Sequence, residues 1–343
     1  MMTESVNTAP EVSLLHPSGG PPAVPLVAIV GPTASGKSTL GVWLAEQLNG
    51  EIVVCDSTQV YRGFDIGTSK PTAEERRRVP HHLIDILEPS EVFTAGEYRE
   101  RAIGVLNDLR QRKLLPVLTA GTGLYLRALL EGLAELPVRS EVLRAQLRAR
   151  AERNKPGYLH RVLARMDPTA AARIAAGDMP KLIRAIEICV LTGKPITEVH
   201  KGVRARLEGF RPVKIGLMPP RTALYERIER RTIEMMDRGW LAEVRTLIRR
   251  GIPATTKPFS FIGYGDLRSH LEAKSDLPQC VTAIQQATRR YAKRQITWFR
   301  KEQGVHWLEG FGDDRGIMRR ALQHLREELG EGYESANHAG AGR

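Results

Sequence analysis

The sequence predicts an α/β fold: a P-loop parallel-sheet core with an inserted all-helical domain. Three observations support this class. Short, nearly continuous apolar runs alternate with longer amphipathic segments, the pattern of parallel strands covered by helices on both faces. A glycine-rich segment with the spacing G-x-x-x-x-G-K-S follows the first apolar run. Between about residues 133 and 206 the strand pattern disappears and only helical patterns remain.

The glycine-rich segment follows a predicted strand at residues 26–30. It comprises Gly31, Pro32, Thr33, Ala34, Ser35, Gly36, Lys37 and Ser38. A strand, a turn with this spacing and a helix start predict a phosphate-binding P-loop, in which backbone N–H groups at the helix N-terminus face the anion. Lys37 adds a positive charge, and the Ser38 hydroxyl can reach a magnesium ion. The loop alone does not show whose diphosphate it holds.

The other predicted elements follow in alternation, which favours a parallel sheet with right-handed crossovers. Further strands are predicted at residues 51–55, 81–86, 114–119 and 213–218. Helices that cover the sheet are predicted at residues 39–48, 95–112, 124–131, 223–238 and 241–250. Helices of the insert are predicted at residues 140–153, 158–166, 169–176, 180–191 and 196–200.

These elements predict the domain organisation of the chain. The parts are a disordered extension at 1–23, a P-loop α/β core at 24–132 and 207–312, a helical insertion domain at 133–206, and a C-terminal helix with a frayed tail at 313–343. The first residues lack the basic and apolar regions of a signal peptide.

Composition and charge narrow the possible partners. A net charge of +12 and a pI near 9.8 favour a polyanionic partner such as nucleic acid, although an inert basic surface gives the same totals. Cys55, Cys189 and Cys280 have no metal-type spacing and indicate a reducing compartment. No apolar run approaches the ~18 residues of a membrane span. We expect a cytoplasmic protein without a membrane segment, and a monomer.

Asp56, Thr122 and Arg221 each follow a predicted strand, as the P-loop does. Ligands of parallel sheets bind beyond the carboxyl ends of the strands, so these residues are expected to line one rim. Asp56 could be a magnesium ligand, a general base or a turn residue. Arg221 could clamp a diphosphate or be an ordinary surface arginine.

Two further groups of polar residues suggest contacts with a nucleic acid. Ser57, Thr58 and Gln59 could read a base edge or form a plain polar loop. A basic stripe near the C-terminus could bind an RNA backbone or be a solvated helix face. The stripe comprises Arg290, Lys293 and Arg294.

Several segments together resemble the tRNA dimethylallyltransferases, also called tRNA isopentenyltransferases, in their bacterial form. These segments are residues 31–38, 56–63, 65–71, 121–125, 184–187, 261–264 and 292–298, which read GPTASGKS, DSTQVYRG, DIGTSKP, GTGLY, RAIE, FIGY and AKRQITW. The resemblance covers roughly residues 26–308. It departs from the family pattern at Ala120, where a glycine is usual, and at Lys181, where an arginine is common.

The resemblance implies a magnesium-dependent transfer of a dimethylallyl group from dimethylallyl diphosphate to tRNA. The acceptor would be N6 of the adenosine directly 3′ of the anticodon, in tRNAs that read codons starting with U. Thr33 and Lys37 would contact the diphosphate, with Ser38 near the magnesium ion. Asp56 would be the general base, and Arg221 would hold the departing diphosphate.

The resemblance also implies that the core at 24–132 and 207–312 is catalytic, that the helical insertion domain at 133–206 contacts tRNA, and which residues meet the anticodon stem-loop. They are Asp56, Ser57, Thr58, Gln59, Thr122, Pro180, Lys181, Leu182, Ile183, Arg184, Arg290, Lys293 and Arg294. Two other functions remain open from the residues alone: a P-loop kinase or NTPase that binds ATP, and a nucleotide-gated RNA-binding protein that changes nothing chemically.

Overall fold

The computed structural model of this 343-residue chain describes residues 23–134, 136–202 and 205–330. The disorder predicted for the N-terminal extension, apart from residue 23, lies outside the described residues, as does the tail predicted to fray beyond residue 330. The predicted C-terminal helix is present as α14, whose bounds are given below.

The centre of the molecule is a six-stranded parallel sheet, which confirms the predicted α/β class. Its strands are β1 Val24–Val30, β2 Gly50–Cys55, β3 His81–His82, β4 Leu115–Ala120, β5 Phe210–Leu217 and β6 Val305–Leu308. The spatial order is β3-β2-β4-β1-β5-β6, so the strand that leads into the glycine-rich loop lies between β4 and β5. Ile29 of β1 stands opposite Thr119 on one side and Ile215 on the other.

Helices cover both faces of the sheet. Those of the core are α1 Lys37–Gln47, α2 Ala73–Arg78, α3 Ala95–Gln111, α4 Gly123–Glu131, α10 Arg221–Asp237, α11 Trp240–Arg249, α12 Tyr264–Leu271, α13 Leu277–Phe299 and α14 Arg315–Leu329. A short 3₁₀ turn at Lys257–Ser260 precedes α12.

The side chains of β1 alternate between two apolar layers. Val27 and Ile29 pack with α1 and α14, whereas Leu26, Ala28 and Val30 pack with α3 and α4. Each of these five residues has no exposed surface. A strand that is buried on both faces reads as an unbroken apolar run, which is why this strand could be predicted.

The predictions for the two edge strands were less accurate. The strand expected at residues 81–86 is reduced to β3, and β6 was not predicted. In β6, Val305 and Trp307 are half-buried and His306 is exposed. An edge strand with one partner and partial burial lacks the continuous apolar run by which the central strands were recognised.

The insert consists of helices with an apolar core of their own. They are α5 Glu141–Arg153, α6 Tyr158–Met166, α7 Pro168–Arg173, α8 Met179–Thr192 and α9 Ile196–Val199. Leu147, Leu163 and Leu182 belong to this core. The side chain of Glu187 on α8 is fully buried and accepts bonds of 2.7 Å from the Ser140 N–H and from Arg184 Nη1, which ties the start of α5 to α8.

Among the described residues, none of the helices combines the length and the apolar character that crossing a membrane requires.

The Glu187 contacts generate a stability prediction for the insert. Glu187→Ala should destabilise helices α5 to α9 by about 3–5 kcal/mol, because it leaves the half-buried Arg184 charge and the Ser140 N–H without their partner. Native-state hydrogen exchange of α8 measures the change. Glu141→Ala serves as the control, since the Glu141 side chain is 72% exposed. Equal protection of α8 in the two variants would contradict the assigned role of Glu187.

Candidate active site

A cavity of about 840 Å³ opens beyond the carboxyl ends of the strands. The P-loop residues 33–38 and the segment 56–59 form one side of it, and α10 and α13 form the other. The structure therefore brings the predicted loop and Asp56 together, as strand-end geometry requires. Thr122 lies directly behind this surface, where its Oγ1 accepts a bond of 3.0 Å from the Ser57 N–H.

The segment that follows β6 packs against the P-loop and supports it. The Gly312 N–H donates to the Ser35 carbonyl at 2.8 Å. Gly36 has a φ of 88°, and a Cβ at this position would stand 2.7 Å from the Gly312 nitrogen. Only glycine meets both requirements without strain. This packing fixes the loop while the Ser38 and Lys37 side chains line the cavity.

Lys37 is the first of two cations in the cavity wall whose pKa is lowered by burial. Its Nζ donates to the Pro32 carbonyl at 2.7 Å. The pKa of Lys37 is lowered to about 8: burial is the largest cause, the nearby Asp56 carboxylate opposes it, and Arg231 adds to the lowering. The ammonium is thus held where its charged form is penalised, and an anion bound beside it would offset that penalty.

Arg231 on α10 is the second cation, and sequence reasoning did not identify it. Burial lowers the pKa of Arg231, and the nearby Arg227 contributes in the same direction. Within the described ranges the Arg231 guanidinium makes no hydrogen bond or salt bridge, whereas Arg227 forms a bidentate pair with Asp313 at 2.7–2.8 Å. The cavity wall carries six cationic and three acidic side chains, so its net charge favours an anion.

A sequence signal for these arginines existed. Arg227, Arg230 and Arg231 are spaced three and four residues apart, so a helix places them on neighbouring positions of its surface. All three line the cavity. The prediction relied instead on strand ends and therefore favoured Arg221.

The structure does not bring Arg221 to the cavity. It is the exposed first residue of α10, and its Nε donates to the Tyr225 hydroxyl at 3.0 Å while its guanidinium covers the Tyr225 ring. Because a helix rises 1.5 Å per residue, Arg231 lies roughly 15 Å further along α10 than Arg221. The expectation that Arg221 lines the rim is therefore wrong in its geometry.

Asp56 follows β2 and lines the cavity. Its Oδ1 accepts bonds from the Thr58 N–H at 2.8 Å and from the Thr58 hydroxyl at 2.7 Å, which is the geometry of a side-chain turn. The other oxygen, Oδ2, faces Gly121, where a Cβ would stand 2.3 Å away. One oxygen of Asp56 thus fixes the turn and leaves the other for chemistry.

Gln59 lies deeper in the same segment. Its Nε2 donates to the carbonyls of Thr68 and Ser69 at 3.1 and 3.2 Å. These bonds hold the segment 67–69 against the cavity, which both residues also line. The amide nitrogen of Gln59 therefore donates to the backbone of the protein.

The predicted tRNA contacts of the insert lie at the start of α8. Leu182 and Ile183 are buried in the core of the insert, so their side chains pack on the protein. Lys181 is exposed and pairs with Asp178 at 2.5 Å. Arg184 also bonds the Pro137 carbonyl at 3.0 Å. Pro180 lines a separate cavity of about 480 Å³ in the insert.

The basic stripe on α13 divides into two parts. Arg294 lines the cavity and stacks over the Tyr291 ring at 5.6 Å. Arg290 and Lys293 are exposed outside the cavity lining. The stripe thus runs from the cavity onto the outer surface of the helix.

In the part of the chain that the structure describes, no cluster of three or more His, Cys, Asp or Glu side chains could hold a metal ion. The cavity does offer oxygen ligands: the hydroxyls of Ser38 and Thr39 and the carboxylate of Asp56. Magnesium prefers oxygen ligands and commonly uses one or two protein groups together with substrate phosphates. These residues therefore fit a magnesium ion that arrives with a diphosphate.

A P-loop, a cation-lined cavity and a carboxylate with a free oxygen define an enzyme of the group-transfer class that acts on a phosphorylated substrate. The family model described as IPP transferase matches residues 59–302. The chain is 51% identical over 301 residues to a tRNA dimethylallyltransferase of Koribacter versatilis, an alignment that covers 88% of this chain and 98% of the relative. It therefore belongs to the IPP transferase family, and the resemblance noted in its motifs is confirmed.

Solved structures agree with this assignment. The full-length tRNA isopentenylpyrophosphate transferase of Bacillus halodurans is 38% identical with a TM-score of 0.66, and the match covers 92% of this chain and 99% of that one. A eukaryotic dimethylallyltransferase acting on tRNA is 27% identical with a TM-score of 0.72, with coverage of 88% and 78%.

The different positions of Arg231 and Arg221 on α10 lead to a prediction about anion binding. Arg231→Ala should weaken binding of magnesium pyrophosphate about 10- to 100-fold, because a charge-assisted hydrogen bond contributes roughly 1.5–3 kcal/mol. Isothermal titration measures the affinity. Arg221→Ala is the matched control on the same helix and should stay within about threefold. If Arg221→Ala weakened pyrophosphate binding more than Arg231→Ala, the diphosphate contact would be assigned to Arg221.

Proposed function

We propose that this protein transfers a dimethylallyl group from dimethylallyl diphosphate to N6 of the adenosine directly 3′ of the anticodon, position 37, in tRNAs that read codons starting with U. The products are N6-(dimethylallyl)adenosine and diphosphate. The observation that carries the proposal is the single cavity that joins Lys37, Arg231 and Asp56. It lies in a chain 51% identical to a tRNA dimethylallyltransferase.

The diphosphate is the leaving group, so negative charge grows on it as the allylic C–O bond breaks. Lys37, whose Nζ is bonded to the Pro32 carbonyl, and Arg231 both line the cavity beside the P-loop before the reaction starts. Preorganised charges of this kind stabilise the transition state more than the ground state. The Thr33 hydroxyl and the N-terminus of α1 add neutral donors to the same anion.

Asp56 accepts the proton that the acceptor must lose. As the bond from N6 to the allylic carbon forms, the C–O bond breaks, the diphosphate departs and the N6 proton passes to Oδ2. The Thr58 bonds hold Oδ1 and so orient the carboxylate for this step. General-base catalysis of this kind contributes about 10²- to 10⁴-fold.

Ser38 and Thr39 would hold a magnesium ion beside the diphosphate, so that Asp56 stays available as the base. When bound, the ion neutralises charge on the diphosphate and makes it a better leaving group.

The tRNA is assigned to three regions: the cavity, the stripe on α13 and the exposed start of α8 in the insert. The base must leave its stack to enter the cavity, which costs least in a single-stranded loop. Arg290 and Lys293 offer charges for the phosphate backbone. Lys181 and Pro180 of the insert are the predicted contacts with a side chain at its surface.

One assay separates this function from its rivals. The protein is incubated with radiolabelled dimethylallyl diphosphate, unmodified tRNA and magnesium, and in parallel with ATP alone. We expect label in the tRNA and no dependence on ATP. ATP hydrolysis without label transfer would indicate a kinase or NTPase, and tRNA retention without either would indicate a binding protein.

The role of Asp56 is tested with its amide. Asp56→Asn keeps an oxygen for the Thr58 bonds but cannot take the proton, so turnover should fall about 10²- to 10⁴-fold while tRNA affinity changes less than about threefold. Asp108→Asn, an exposed carboxylate on α3, is the control. Unchanged turnover in Asp56→Asn would exclude the general base.

The lowered pKa of Lys37 predicts a decline of kcat/KM at alkaline pH, the alkaline limb of the pH profile. The ammonium is present below pH about 8 and is lost as the pH rises through that value, so kcat/KM for dimethylallyl diphosphate should decline above it. Lys37→Arg keeps its charge across this range and should move the limb upward even if its absolute rate is lower. An alkaline limb at the same pH in both proteins would show that another group titrates there.

A further inference from the structure

Gln295 is a buried amide on α13 whose two ends are bonded to different loops of the site. Its Oε1 accepts a bond of 2.7 Å from the Thr33 N–H of the P-loop. Its Nε2 donates a bond of 2.8 Å to the Gly121 carbonyl, which follows β4. Only 6% of the residue is exposed. One side chain therefore links three parts of the chain that are far apart in sequence.

The first of these loops holds the proposed leaving group. Thr33 lines the cavity within the P-loop. Because the Thr33 N–H is already bonded to Gln295, the hydroxyl is the donor that Thr33 has left for an anion. The Gln295 bond thus determines which donor of Thr33 faces the diphosphate.

The second loop forms the wall behind the proposed base. Gly121 lies so close to Asp56 that a Cβ would stand 2.3 Å from Oδ2. The Gly121 N–H also donates to the Cys55 carbonyl at 3.0 Å, which fixes it beside the end of β2. A displacement of Gly121 would therefore displace the surface against which the Asp56 carboxylate rests.

We propose that Gln295 is a positioning residue that sets the separation between the diphosphate and the acceptor nitrogen. The proposal depends on the proposed transfer reaction. Displacement requires the reacting atoms to lie about 3–3.5 Å apart, and a misplacement of about 1 Å can cost 10²-fold in rate. Gln295 spans the two sides directly, so its loss should affect turnover more than binding of either substrate.

Two substitutions distinguish the hydrogen bonds of Gln295 from the space that its side chain fills. Gln295→Met keeps the length of the side chain and removes both hydrogen bonds. Gln295→Glu keeps an acceptor for the Thr33 N–H but opposes a carboxylate oxygen to the Gly121 carbonyl. Protonation of that carboxylate restores a donor, so a protonated glutamate reproduces both bonds. Gln285→Met on the same helix is the matched control, since Gln285 Nε2 bonds the Glu229 carbonyl outside the cavity lining.

Steady-state kinetics with dimethylallyl diphosphate and tRNA, together with thermal melting, test the proposal. We expect kcat to fall at least about tenfold in Gln295→Met, with each KM within about threefold and no matching loss in Gln285→Met. In Gln295→Glu, kcat relative to wild type should rise as the pH falls.

The contrary outcomes are distinct. A Gln295→Met enzyme with kcat within about threefold of wild type would overturn the proposal, as would a loss confined to KM. If Gln295→Met does not fold, Gln295→Glu decides, and a relative kcat that is flat with pH overturns the positioning role. Absence of label transfer by the wild-type protein would instead refute the proposed function.

Discussion

Two positive charges in one cavity of this protein, Lys37 and Arg231, are held in a setting that penalises their charged forms. Burial is the main cause that lowers the pKa of each group; Arg231 adds to it for Lys37, and Arg227 adds to it for Arg231. Asp56 offsets part of this for Lys37, but the Arg231 guanidinium has no salt bridge among the described residues. A bound polyanion would supply the missing charge, which supports the proposed binding of a diphosphate in this cavity.

The fold explains how residues so distant in sequence come together. The P-loop and Asp56 follow strands β1 and β2, so the parallel sheet brings them to one edge. The opposing wall is formed by α10 and α13, which come from the second half of the chain. Gln295 connects the two halves through the Thr33 N–H, and Gly312 supports the P-loop from behind. The site therefore exists only in the complete fold of the core.

The site residues that could be predicted from the sequence are those marked by a local sequence pattern. The P-loop and Asp56 have local signatures, namely a spacing and a buried strand with a polar end, and these depend little on tertiary contacts. Arg231 is one of several arginines on α10, and the rotation of that helix against the sheet decides which of them enter the cavity. Arg221 was predicted to line the rim because it follows a predicted strand. In the structure it begins α10 and lies outside the cavity lining. Gln295 stands in a basic segment where nothing local shows that it is buried.

The central claim is that the P-loop holds a leaving diphosphate, so that the bond broken is carbon–oxygen rather than phosphorus–oxygen. The most direct test uses dimethylallyl diphosphate that carries ¹⁸O at the bridging position between carbon and phosphorus. After reaction with unmodified tRNA, mass spectrometry should find all of the ¹⁸O in the released pyrophosphate and none in the modified tRNA. Recovery of the ¹⁸O in dimethylallyl alcohol, or release of inorganic phosphate, would contradict the account.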